Sequence, residues 1–341
     1  MSKMTTQVNV GLIGAGRIGR VHAENLAYRI PEVNLVAVAD VFLEAAQKCA
    51  ADYRIPTVTG NPQDIFNNKA IDAVVICSST DTHAQFIIDA ATAGKHIFCE
   101  KPVALNLAVI DEALAAVAKN KVKLQLGFNR RFDPNFKAAR DMVAEGKIGT
   151  PHLVHIISRD PAPPPVEYIK ISGGIFLDQT IHDFDMARFL IGSEVTEVYA
   201  IGGVMVDPAI GEAGDIDTAI VTLRFENGVI GTIDNSRRAV YGYDQRVEVF
   251  GSKGSVVVAN STPHTAVLST SNTVQAANPL YFFLERYMDA YAAEMKVFVA
   301  CITQGTPPPV TGTDGRIPVV MGLAAWKSYR ENRPVKLSEI T

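Results

Sequence analysis

The chain has 341 residues, 48% of them hydrophobic and 20% charged, which is enough for two cores at about 100 to 200 residues per domain. A net charge of −4 without runs of like charge argues against a nucleic-acid groove or an anionic membrane surface, and leaves small metabolites as the expected partners. No apolar run reaches the ~18 residues of a spanning helix, and the start MSKMTTQVNVGLIG lacks the basic-plus-apolar pattern of a secretory signal; a cytoplasmic protein is expected. Cys49, Cys77, Cys99 and Cys301 form no CxxC pair and read as reduced core thiols, with no disulfide frame and no metal site.

Apolar strand-like runs alternate with helical stretches over the first ~130 residues, the pattern of a parallel sheet covered on both faces. VNVGLIG (8–14), NLVAVAD (34–40), AVVICSS (73–79), HIFCE (96–100) and KLQLGF (123–128) are the strands; LEAAQKCAADY (43–53), FIIDAATAG (86–94) and AVIDEALAAVAKN (108–120) are helical. Beyond residue 130 a helix (137–146) leads to a strand (151–160), a proline-rich loop PAPPP (161–165) and a helix over 176–190. Strands then dominate, with hairpins turned at Glu226-Asn227-Gly228 and Gly251-Ser252-Lys253-Gly254, before a long helix (282–304) and a shorter one near VVMGLAAWKSYREN. The expected fold is α/β: an N-terminal doubly wound parallel sheet over 1–129, and a C-terminal α+β domain with a largely antiparallel sheet over 130–341.

Gly14-Ala15-Gly16-Arg17-Ile18-Gly19 is G-x-G-x-x-G directly after a strand and opening a helix. The glycines allow a tight turn and close approach of backbone to a pyrophosphate, and the helix N-terminus favours anionic phosphates. Asp40 ends the second strand about 20 residues later, where a carboxylate accepts hydrogen bonds from ribose hydroxyls and repels a 2′-phosphate. Val41-Phe42 brings no cation to neutralise such a phosphate, so NAD is expected rather than NADP. Lys101 leaves the strand His96–Glu100 on the same edge as the glycine loop, and Pro102 ends the ladder; the lysine either faces the cofactor or reaches water. Asp178 and His182 stand at i and i+4 on one helix face, as a catalytic pair or a structural one.

Taken together, GAGRIGRVHAENL, the strand ending Ala39-Asp40, SSTDTHAQF, CEKPVALN and GGIFLDQTIHDFDMARFL resemble the Gfo/Idh/MocA family of oxidoreductases over residues 8 to about 190, and AYAAEMKVFVACITQGTPPPVTGTDGR resembles its C-terminal portion. The resemblance implies a catalytic trio of Lys101, Asp178 and His182. It extends the cofactor set of Gly14, Gly16, Arg17, Ile18, Gly19 and Asp40 to Thr80, His83, Glu100 and Lys101. Arg131 is directed toward substrate, with Arg130 as the alternative, and Asp160 and Tyr241, or Tyr243, are candidate hydroxyl partners. His22, His96, His152, His155 and His264 are assigned structural roles. The implied reaction is NAD-dependent oxidation of a cyclitol or sugar hydroxyl, with myo-inositol going to its 2-keto product. Alternatives are a scyllo-inositol or aldose dehydrogenase, a hydrolase of the family that uses NAD transiently, and a non-catalytic NAD-sensing regulator. A homodimer or homotetramer is implied by the resemblance.

Overall fold

The computed structural model describes residues 7–341, which divide into two compact units. The first holds the residues up to Phe132 together with Asp289–Ile317; the second holds Asp133–Met288 and Pro318–Thr341. The units are therefore not contiguous in sequence: a segment from the last third of the chain returns to the first.

In the first unit, β1 (Val8–Ile13), α1 (Arg17–Tyr28), β2 (Val33–Ala39), α2 (Leu43–Tyr53), β3 (Thr57–Thr59), α3 (Pro62–Asn67), β4 (Ala73–Ile76), α4 (Thr80–Thr92), β5 (His96–Glu100), α5 (Leu107–Asn120) and β6 (Leu124–Gly127) follow in order. The six strands form one parallel sheet ordered β3-β2-β1-β4-β5-β6. That order reverses between β1 and β4, the switch point at which such sheets open a crevice beyond their carboxyl ends. The sheet core of Val10, Leu12, Val38, Val75 and Phe98 is wholly buried and is completed by Met295, Phe298 and Val299 from the returning segment. β3 and α3 were not expected from the sequence. β3 has only three residues, one exposed and two half-buried, and so little periodicity, while α3 is set by the Asn61 side chain, which accepts from Gln63 N–H, and by Pro62 at its first turn.

The second unit contains α6 (Pro134–Ala144), β7 (Pro151–Arg159), α7 (Val166–Ile169), α8 (Ile175–Asp178), α9 (Ile181–Ile191), β8 (Val195–Gly203), α10 (Pro208–Glu212), β9 (Thr218–Phe225), β10 (Ile230–Ser236), β11 (Asp244–Gly251), β12 (Gly254–Val258), the short hairpin β13 (Val267–Ser269) and β14 (Val274–Ala276), and α11 (Phe283–Arg286). α12 (Met288–Gln304) belongs almost wholly to the first unit, and the division falls inside α13 (Gly312–Glu331), at Pro318; β15 (Val335–Lys336) is the last strand. The seven-stranded sheet runs β12-β11-β7-β10-β9-β8-β15, and every pairing is antiparallel except β7 with β10. Both expected hairpins are present. Strand alternation buries Val154, Ile156, Val221, Leu223 and Ile233 on one face and leaves Leu153, Ile220, Ile230 and Phe250 exposed on the other.

Two expected helices are divided. The segment 282–304 breaks at Tyr287 between α11 and α12. The segment 176–190 breaks at Gln179-Thr180, where Thr180 N–H reaches back five residues to Ile175 O, and α9 then starts afresh. Among the described residues no helix is long and apolar enough to cross a membrane. All four cysteines are free and buried.

Candidate active site

At the carboxyl edge of the parallel sheet the glycine loop is shaped by close approach. Gly14 has φ +96°, and a Cβ there would lie 2.5 Å from the Cys77 carbonyl; a Cβ on Gly19 would lie 1.9 Å from Gly14 O. Nothing lies within 4 Å of the Cβ position of Gly16, and α1 begins at Arg17 without a side-chain cap. The N-terminal N–H groups of a 12-residue helix therefore open beside a loop with space above it, which suits a pyrophosphate. Asp40 accepts Ala15 N–H at 2.7 Å and Phe42 N–H at 2.8 Å, so the carboxylate ties the β2 end to the glycine loop and keeps lone pairs for ribose hydroxyls. The side chains of Val41 and Phe42 are exposed beside it. These residues fit a dinucleotide with a free 2′-hydroxyl. Arg17 is exposed and Thr80 is half-buried at the first turn of α4, whereas Ile18 packs against the sheet core and leaves only its backbone for a ligand.

Two expected cofactor residues are engaged otherwise. His83 is buried, with Nδ1 2.8 Å from Pro102 O and Nε2 3.0 Å from Ser78 O, so it fastens the turn after Lys101 to the end of β4. Glu100 bonds His22 at 2.7 Å. Each polar side chain is held by a group it can pair with. Arg131 forms a 2.9 Å ion pair with Asp314, its side chain largely buried, and Arg130 is buried.

In the second unit Asp178 is the centre of a polar cluster. Oδ1 accepts Tyr168 Oη–H at 2.9 Å and Oδ2 accepts Arg237 Nη1 at 3.2 Å, while Arg237 Nη2 reaches Asp215 Oδ2 at 3.1 Å. Asp215 Oδ1 in turn accepts the Ile175 N–H at the start of α8. Burial first, then the Asp178 charge, push the Tyr168 phenol up, so it stays a donor at neutral pH. Burial works against the Arg237 cation, but Asp178, Asp215 and Asp160 outweigh it and hold the guanidinium charged. The Asp160 charge also acts on Tyr168 and Arg237, and its backbone is fixed by bonds to Ser236 O and from Ala239 N–H.

The double glycine before Asp178 has a steric reason. At Gly174, φ +76°, a Cβ would sit 2.5 Å from Trp326 Cζ2 and 2.7 Å from Asp215 Oδ1, and Trp326 Nε1 donates to Gly173 O at 3.0 Å. Gln179 donates to Ser158 O and Ser236 O, Thr180 to Asn235 Oδ1, and Asn235 to Asp183 Oδ2, all in the interior. These anchors fix the turn between α8 and α9 to the ends of β7 and β10. His182, half-buried in the first turn of α9, follows that turn, so Asp178 and His182 are presented by two short helices and not by one continuous one.

The tyrosines expected to meet a substrate hydroxyl are otherwise occupied. Tyr241 donates to Asp244 Oδ2 at 2.6 Å and accepts from Arg159 Nη1 at 3.2 Å; Tyr243 is 7% exposed among the rings of Phe282 and Tyr287. Sequence reasoning missed Tyr168 and Arg237. Neither sits in a recognisable motif, and Arg237 lies 59 residues from the carboxylate it holds.

A Gly-rich turn on a β3-β2-β1-β4-β5-β6 sheet with a ribose-ready carboxylate defines a dinucleotide-dependent oxidoreductase domain, and residues 8–128 match the oxidoreductase family with an NAD-binding Rossmann fold. Residues 136–257 match the GFO/IDH/MocA C-terminal domain, and the chain belongs to that family of oxidoreductases. It is 50% identical over 333 residues to a myo-inositol 2-dehydrogenase of Thermotoga maritima, covering 98% of this chain and 99% of that one. It is 47% identical over 332 residues to an inositol 2-dehydrogenase of Rhizobium meliloti, covering 97% and 99%. The crystal structure of a scyllo-inositol dehydrogenase from Lactobacillus casei with bound NAD(H) and scyllo-inositol superposes with a TM-score of 0.91 at 30% identity, covering 97% of this chain and 99% of that one.

Proposed function

We propose that this protein is an NAD-dependent inositol dehydrogenase that oxidises myo-inositol at C2 to the 2-keto product. The observation that carries the reading is the Asp178 cluster: a carboxylate held by Tyr168 and Arg237, with Asp160 alongside, is an array of polar partners suited to a ring of hydroxyls and ill suited to an apolar alcohol. The near-full-length likeness to inositol dehydrogenases supports the same substrate class.

The glycine loop, the N-terminus of α1 and Asp40 hold NAD, which when bound supplies the hydride acceptor. His182 takes the proton of the reacting hydroxyl, a task suited to an imidazole. Lys101 bonds the reacting oxygen and stabilises the alkoxide charge that develops there. Asp178, fixed by Tyr168 and Arg237, orients a substrate hydroxyl or the imidazole. Asp160 accepts a further hydroxyl, and Arg131, paired with Asp314, is a further substrate partner.

The protein works in the cytoplasm as a homodimer or homotetramer. The open face of the seven-stranded sheet supports the oligomer: Leu153, Ile220, Ile230 and Phe250 share that face, the first, third and fourth in one cross-strand row. Light scattering on an Ile220→Lys, Ile230→Lys variant tests it, with a fall in mass expected.

The functional test is a substrate panel with NAD, read by NADH absorbance: myo-inositol, scyllo-inositol, deoxyinositols, hexoses, lactate and cyclohexanol. Myo-inositol should give the highest kcat/KM, and loss of one non-reacting ring hydroxyl should lower it at least ~10-fold, about 1.4 kcal/mol. Equal turnover of lactate or cyclohexanol would sink the cyclitol assignment. No turnover of any member would favour an NAD sensor.

A further inference from the structure

Three side chains from α1, β5 and α12 meet inside the first unit, directly behind the strand end that carries Lys101. His22 Nε2 lies 2.7 Å from Glu100 Oε1, and one donor-type atom from each of His22, Glu100 and Glu294 lies within 4.8 Å of the other two. His22 and Glu294 are wholly buried. Neither carboxylate oxygen of Glu294 has a hydrogen-bond partner, nor does His22 Nδ1, although the Glu294 backbone carbonyl accepts Gln125 Nε2 at 2.8 Å. The His22 ring is packed edge-on against Phe98 and Tyr291. The other titratable neighbours are Cys77, just past β4, and Cys99 of β5, thiols that burial keeps protonated.

A charge on Glu294 is opposed twice. There is no solvent to stabilise it, and the adjacent group is another carboxylate, whose charge disfavours a second one close by. Burial first, and the Glu100 charge second, push the Glu294 carboxyl well above the usual range. The neighbouring strand is shaped around the same group: a Cβ on Gly127 would stand 2.9 Å from Glu100 Oε2. Glu100 and Lys101 are consecutive, so whatever fixes the Glu100 side chain fixes the direction in which the chain leaves the sheet.

We propose that Glu294 is carried as a neutral acid beside the Glu100 carboxylate, and that His22, Glu100 and Glu294 form a positioning unit for Lys101. The role given to Lys101 rests on the reading under Proposed function. None of the three touches substrate; they act through the strand end.

The test compares wild type with Glu294→Gln, which keeps shape and neutrality, and Glu294→Ala, which keeps neutrality but not volume. A buried acid that stays protonated while the unfolded chain ionises costs stability progressively above about pH 4.3, so Glu294→Gln should gain on wild type as pH rises. The ratio of their unfolding constants, from urea titrations at pH 5 and 7, should change by up to about tenfold per pH unit. Glu294→Ala should lose at least ~10-fold in kcat with NAD affinity within about twofold, and Glu294→Gln should recover most of that kcat. A pH-independent ratio, an Ala variant with wild-type kcat, or a Gln variant as impaired as Ala would each overturn the proposal. So would about one zinc or manganese ion per chain in purified protein, because a cation would then hold the three groups in place of the proton. Wild type inactive on the whole substrate panel sinks the functional reading and the role of Lys101 with it; a flat unfolding ratio in an active enzyme sinks this inference alone.

Discussion

Arg237→Met tests the cluster that holds Asp178. The guanidinium is 1% exposed and is shared between Asp178 and Asp215, whose side chains are 15% and 3% exposed. Its Nε–H has no partner, so the two Nη contacts carry its role. Methionine fills much of the volume but leaves two carboxylates facing each other, one of them fully buried. Removing one partner of a buried ion pair costs about 3 to 5 kcal/mol. Asp178 keeps Tyr168 and some solvent, so most of the loss falls on Asp215. For a unit of this size, about 2 to 4 °C per kcal/mol translates that into a Tm lower by roughly 6 to 20 °C. Differential scanning calorimetry gives the value, and kcat should fall as well because Asp178 loses its Arg237 anchor. Asp215→Asn added to Arg237→Met should recover part of the stability: it removes the stranded charge while its amide oxygen still accepts the Ile175 N–H. A Tm drop below about 3 °C, or a double variant worse than the single one by the full cost of Asp215→Asn alone, would refute the reasoning.

Other substitutions probe separate parts of the molecule. Asp40→Ser with Val41→Arg should move the NAD/NADP ratio of kcat/KM toward NADP, since a carboxylate at the ribose position is exchanged for a guanidinium that pairs with phosphate; an unchanged ratio would take Asp40 away from the ribose. Lys101→Met and His182→Ala should each lower kcat by about 10² to 10⁴ with little change in NAD affinity by fluorescence titration, and near-normal turnover would remove that residue from the mechanism. Asp244 carries an acid-side stability term: burial pushes its carboxyl up, but bonds from Arg246, Tyr241 and Asn260 prevail and hold it at about 2. Its folded value lies below the unfolded one, so the contribution is complete above about pH 3.9 and is lost as pH falls through 2. Asp244→Asn should therefore cost about 2 kcal/mol at pH 7 in urea unfolding, with the gap to wild type closing on acidification; a gap constant from pH 7 to 2 would contradict that sign.

The residues alone determined a good deal. The βαβ alternation, the Gly14–Gly19 turn, the carboxylate of Asp40 and the two hairpins of the second sheet all depend on neighbours within a few residues or on a fixed local period, and each is present in the structure. The pattern of Gly173, Gly174, Asp178 and His182 was legible as a unit, but its backbone was not: the wide turn at Thr180 is imposed by bonds to Ser158, Asn235 and Ser236 on strands far away in sequence. Only the tertiary structure revealed that Arg237 and Tyr168 hold Asp178, that Tyr241 is committed to Asp244, and that His22 meets Glu100 and Glu294. It likewise decided that residues 289–317 complete the core of the first unit instead of the second. Local periodicity tells a side chain which face of its own element is buried; which other charge or ring will be waiting there depends on how distant strands and helices come together, and one sequence read along its length does not carry that pairing.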